Sequence, residues 1–182
     1  MPEPAAHPNA VDTGWREFPA VRVTDERTIV TSMLDWYREG VLLKVAGLAP
    51  HLAATTSLRS GTTIGGLVKH LASDEDSWFT DRFAGRGLPE PWASAPFDED
   101  PDWEFHSAAA DPLDDLVALY TAACDRSRAA IADAPDLDQM AAKDGGKPFN
   151  LRFVLFHMTE ETARHLGHLD ILREHLDGNT GE

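Results

Sequence analysis

Apolar residues at Val30, Leu34, Tyr37, Val41, Val45 and Leu48 recur at steps of three and four. That spacing lines one face of an α-helix. Ile29, Met33 and Trp36 widen the stripe, and Thr24 is placed to cap the helix start. Pro50 and residues 51–61 interrupt the pattern. Thr62 or Thr63 can cap a second helix, which carries Ile64, Leu67, Val68, Leu71, Trp78, Phe79 and Phe83 and stops at Gly85 and Gly87. Residues 88–110 hold four prolines and several aromatics without periodicity, so they read as a long loop without regular elements. Asp111-Pro112 opens a third helix with proline in its first turn, and Leu113, Leu116, Val117, Tyr120, Cys124 and Ile131 form its inner face. Pro135 ends it. Asn150 caps a fourth helix from Leu151 to about Asp177, closed by Gly178. No strand pattern and no internal repeat is found. The expectation is an all-α fold: a four-helix bundle with a long crossover between helices 2 and 3.

Length and composition narrow this further. The 182 residues, 42% hydrophobic and 26% charged, suit a single packed domain over residues 24–182. Residues 1–23, with four prolines, read as an extended arm that Trp15 and Phe18 pin to the body. The net charge of −15 opposes docking on nucleic acid or on an anionic membrane surface. No apolar run approaches the roughly 20 residues that span a bilayer. The N-terminal residues lack a cationic start and an apolar stretch, so a cytoplasmic location is expected. The single cysteine, Cys124, cannot form an intrachain disulfide and sits on an apolar stripe as a small filler.

The fourth helix carries the chemistry. Leu151, Val154, Leu155, Met158, Leu166, Leu169, Leu172 and Leu176 define its inward arc, and His157, Glu161, His165 and His168 lie along one edge of it. Glu161 and His165 are one turn apart, close enough for one ion to bridge them. The same spacing suits a plain ion pair, with His157 and His168 as partly buried histidines. One helix supplies only two ligands, so a metal site needs a third from across the core, and His70, mid-way along helix 2, is best placed. Asp74 and Glu75 follow it and either hold its ring or face water. His7, His51, His106 and His175 read as surface residues.

The pairing of GLVKHLASDEDSW with LRFVLFHMTEETARHLGHLDILREHLDG resembles the DinB-like (YfiT-like) superfamily of metalloenzymes. Within it, the chain is similar to the actinobacterial branch typified by the N-terminal domain of mycothiol-dependent maleylpyruvate isomerase. The resemblance spans about residues 24–178 and is carried by helices 2 and 4. It implies that His70, Glu161 and His165 are metal ligands, with glutamate at a position where many members carry histidine. It also implies a homodimer. The sequence runs only a few residues past helix 4, so the isomerase's second domain and its specific isomerisation are not expected.

Two imidazoles and one carboxylate leave a zinc ion with an open position, nickel and manganese being alternatives. A low-molecular-weight thiol such as mycothiol in that position would give S-transfer to an electrophile or thiol-assisted isomerisation. His168 and, less directly, His157 are the expected bases or outer partners of the ligands. Arg82 and Arg164 are expected to meet the thiol cosubstrate or to form surface ion pairs. A metal-dependent hydrolase and a non-catalytic metal-binding bundle whose aromatic loop binds a partner are the alternatives.

Overall fold

A computed structural model describes residues 18–19, 24–56 and 58–180. Trp15 and most of the expected N-terminal arm lie outside the described residues. Phe18 packs on Trp36, with ring centroids 5.4 Å apart. The chain is all-helical, as the periodicity predicts, and among the described residues no strand forms beyond one isolated antiparallel bridge between Met140 and Asn150. The elements are α1 (Glu26–Val45), α2 (Ile64–Glu75), α3 (Trp103–Ser107), α4 (Leu113–Asp133) and α5 (Leu151–Asp177). Helix α1 lies along α5, and α2 packs against α4, α5 and the short α3. No helix of the described residues is long and apolar enough to cross a membrane.

Several helix ends differ from the sequence expectation for local reasons. Asp25, not Thr24, caps α1, its carboxylate accepting from the Thr28 N–H at 2.9 Å. Thr63 caps α2 and Asn150 caps α5, each side chain accepting from the backbone N–H three residues on. Pro112 is itself the cap of α4 in extended conformation, so the first helical residue is Leu113. Gly178 closes α5 with φ +76°, a left-handed conformation that favours glycine. The second helix does not continue as a plain α-helix to Phe83: beyond Glu75, residues Asp76–Phe83 wind as a π-helix. The crossover is also more regular than expected, because it holds 3₁₀ turns at Trp92–Ser94 and Ala108–Ala110 around α3.

The apolar core has two parts. Val41, Leu67, Leu71, Tyr120, Leu166 and Leu169 belong to one, and Leu34, Phe79, Ile131, Leu155 and Met158 to the other. Along each long helix a buried polar residue falls between them: Arg38 on α1, Glu75 on α2, Ser127 on α4 and Thr162 on α5. The Arg38 guanidinium donates to both Glu75 oxygens at 2.7 and 2.6 Å. The Ser127 hydroxyl donates to the Glu75 carbonyl at 3.3 Å, and the Thr162 hydroxyl to the Met158 carbonyl at 2.7 Å. The next residue, Asp76, is also fully buried and accepts two bonds from Arg126 at 2.7 Å and one from the Trp92 indole at 2.9 Å. These pairs fix the chain just after His70 and tie the crossover to it.

Removing one partner of such a pair leaves a charge buried alone, at a cost of about 3–5 kcal/mol. Arg38→Met should therefore lower the urea midpoint sharply. The double variant Arg38→Met/Glu75→Leu should recover most of that loss, and equal destabilisation in both would show that the uncompensated charge is not the cause.

Candidate metal centre

Helix α2 places His70 four residues before Asp74, and α5, packed against α2, places Glu161 and His165 one turn apart on the face opposite it. The three side chains converge as the spacing predicts, with one donor atom from each lying within 4.8 Å of the others. His165 Nε2 is 2.8 Å from Glu161 Oε1, and His70 Nε2 is 3.7 Å from the same oxygen. The His70 and His165 rings meet edge to face, 5.0 Å between centroids. Their side chains are only 18%, 15% and 12% exposed for His70, Glu161 and His165, so solvent shields them poorly.

Each imidazole turns Nε2 to the centre and Nδ1 to a supporting group. His70 Nδ1 is 3.0 Å from Glu104 Oε1, and the Phe105 ring stacks on His70 at 4.6 Å and 26°. His165 Nδ1 is 3.3 Å from Nδ1 of His168, where one ring donates and the other accepts. A carboxylate on the far nitrogen fixes the tautomer and ring orientation of a ligating histidine, which suits His70 for a metal. Asp74 also reaches the ring, its Oδ2 lying 3.3 Å from His70 Nε2 on the side that faces the centre. Glu75 does not, being taken up by Arg38.

The electrostatics follow from this crowding. Burial disfavours the His70 imidazolium, yet the Glu104 hydrogen bond and the charges of Asp74, Glu104 and Glu161 outweigh it and raise the pKa. Burial and the nearby His70 charge lower that of His165, despite its bond to Glu161. Burial, reinforced by Glu161 and Glu104, pushes Asp74 up to about 6 against the pull of His70. For Glu161 burial is opposed and outweighed by the bond and charge of His165, so its carboxyl sits below the usual range.

The donor set fits a divalent cation. Bonds of about 2.0–2.2 Å in a tetrahedron set donors about 3.3–3.6 Å apart, and the two imidazole nitrogens stand 2.8 and 3.7 Å from Glu161 Oε1. The three donors leave a position for an exchangeable ligand.

Other expected site residues are placed differently. His157 packs between the Trp78 and Phe153 rings, at 4.5 and 5.9 Å. The Arg82 guanidinium lies over the Trp78 ring at 4.0 Å and the Phe149 ring at 5.0 Å. Arg164 is 62% exposed and stands 4.0 Å from Glu161 Oε2, at the rim. Cys124 is buried, which pushes its thiol pKa well up and leaves it unfit as a nucleophile. Glu104 and Phe105 were missed by sequence reasoning. The only signal was an acid and an aromatic inside an unexplained loop.

A model of the mycothiol-S-transferase family matches residues 29–178. The chain belongs to this family. It is a DinB/YfiT-like family, in agreement with the resemblance carried by helices 2 and 4 of the sequence. Comparison with curated proteins finds no match. In mycothiol S-transferase terms, the converging triad sits on α2 and α5, inside the matched span.

In chelator-treated protein, histidine NMR titration should find His70 above and His165 below the ordinary imidazole midpoint. Glu104→Gln should bring His70 down. A His70 midpoint that does not move would contradict the assigned pairing.

Proposed function

We propose that the chain is a metal-dependent thiol transferase in which His70, Glu161 and His165 hold a divalent cation, zinc by donor chemistry, beside a mycothiol cosubstrate. Support comes chiefly from the convergence of these three donors within 4.8 Å in a chain of the mycothiol-S-transferase family. What the cation supplies when bound is acidity, so that a neighbouring thiol loses its proton near neutral pH.

The protein's own groups do the rest. Glu104 holds the proton on His70 Nδ1 and leaves Nε2 free as a donor. Glu161 balances the cation's charge, and Asp74 adds a carboxylate at the edge. His168, exposed and next to His165, receives the thiol proton. The sulfur lone pair then forms a C–S bond to the electrophilic carbon. In a substitution the leaving group departs with the bonding pair; in an addition to an activated double bond, the proton returns to the neighbouring carbon. Arg164, at the rim, is available to a polar group of the thiol. Cys124 takes no part.

Metal analysis of untagged protein should find a stoichiometric ion that His70→Ala and His165→Ala lose. Equal metal content in these variants would remove them from the site. In the Co²⁺-substituted protein, mycothiol should produce a thiolate-to-metal absorption band; no band with any cellular thiol would refute thiol activation. Glu104→Gln should weaken zinc binding about 10–100-fold in a chelator competition while the triad stays intact. Unchanged affinity would show that Glu104 does not support the ligand.

A further inference from the structure

Two clefts of opposite character each border a side chain that touches the triad, and they share a wall. One, of about 350 Å³, is bounded by Ser60, Thr62, Asp102, Phe105 and His106. Its Phe105 wall is the ring stacked on His70. The other, of about 260 Å³, is bounded by Leu58, His168, Ile171 and Leu172, again with Ser60 and Thr62. Its His168 wall is the ring in contact with His165. The shared wall is the hydroxyl pair of Ser60 and Thr62, 2.9 Å apart. Each cleft is thus one side chain away from a different imidazole of the triad.

Their chemistry sorts the substrates. Hydroxyls, a carboxylate and an imidazole around an aromatic ring satisfy a body rich in hydroxyl groups. The second cleft presents Leu58 and Ile171 to water, 46% and 67% exposed, which disfavours leaving it empty and favours an apolar guest. We infer a bipartite substrate site: the Asp102 cleft takes the polyhydroxylated body of the thiol, and the Ile171 cleft takes an apolar electrophile the size of an aromatic ring or short alkyl chain. This rests on the thiol-transfer reading above and assigns each substrate its side of the Ser60–Thr62 wall.

The test compares two thiols and two electrophiles on the metal-loaded protein. Mycothiol is set against N-acetylcysteine, which carries the thiol without the hydroxyl-rich body. Monochlorobimane, an apolar electrophile, is set against compact, polar iodoacetamide. Ser60, Asp102 and Ile171 are exposed, so their substitution leaves the fold in place. Ser60→Ala/Asp102→Ala should raise the Kd for mycothiol about tenfold and leave that for N-acetylcysteine unchanged. Ile171→Asp should raise the KM for monochlorobimane about tenfold and leave the mycothiol Kd and the iodoacetamide KM unchanged. If wild type binds both thiols but either variant is silent, or moves both members of its pair equally, the bipartite site is overturned and thiol transfer stands. If wild type binds neither thiol, the thiol-transfer reading itself fails and the inference falls with it.

Discussion

The structure depends on negative charge gathered around His70. Glu104, Asp74 and Glu161 lie 3.0, 3.3 and 3.7 Å from its ring nitrogens, and His165 adds a second imidazole. Two imidazoles, of which His165 resists protonation, do not balance three carboxylates in so shielded a place. One Glu104 oxygen is buried without a hydrogen-bond partner. A divalent cation on the proposed triad would relieve this imbalance, and the candidate donors converge within 4.8 Å. Left as an ordinary ion-pair cluster, the arrangement is costly.

The rest of the fold holds these groups still. The Arg38–Glu75 pair sits one turn past His70, and Asp76 beside it anchors both α4, through Arg126, and the crossover, through Trp92. The crossover is held again near α3. Lys69, almost fully buried, donates to Ser107 and Asp111 at 2.8 and 2.5 Å and lies 4.4 Å from the Trp103 ring. Glu104 and Phe105 lie between these anchors and are thereby delivered to His70. The π-helical stretch begins at Asp76, within this network. The aromatic content of the crossover thus has a structural explanation: Trp103 packs on Lys69 and Phe105 on His70, both on α2.

Much of this was legible in the sequence because it rests on local spacing. Asn150 and Gly178 mark the ends of α5 through backbone capping, which needs no tertiary information. Glu161 and His165 share a helix face by the same arithmetic, and His70 could be chosen as the mid-helix histidine on α2. What escaped depends on contacts between distant segments. Glu104 lies 34 residues from His70 in a proline-rich stretch with no period to read. The π-helix left the apolar pattern of helix 2 unbroken, so Trp78, Phe79 and Phe83 looked like a continued α-helix. The position of Arg82 over Trp78 and Phe149 is likewise set by the packing of that π segment and has no local signal.

X-ray absorption spectroscopy of the zinc-loaded protein reads directly which atoms surround the ion. Two imidazole nitrogens and light oxygen donors at about 2.0–2.2 Å are expected, with one imidazole lost in His70→Ala. On addition of mycothiol, one sulfur should enter at about 2.3 Å. A first shell of oxygens alone, or a sulfur already present without added thiol, would contradict it.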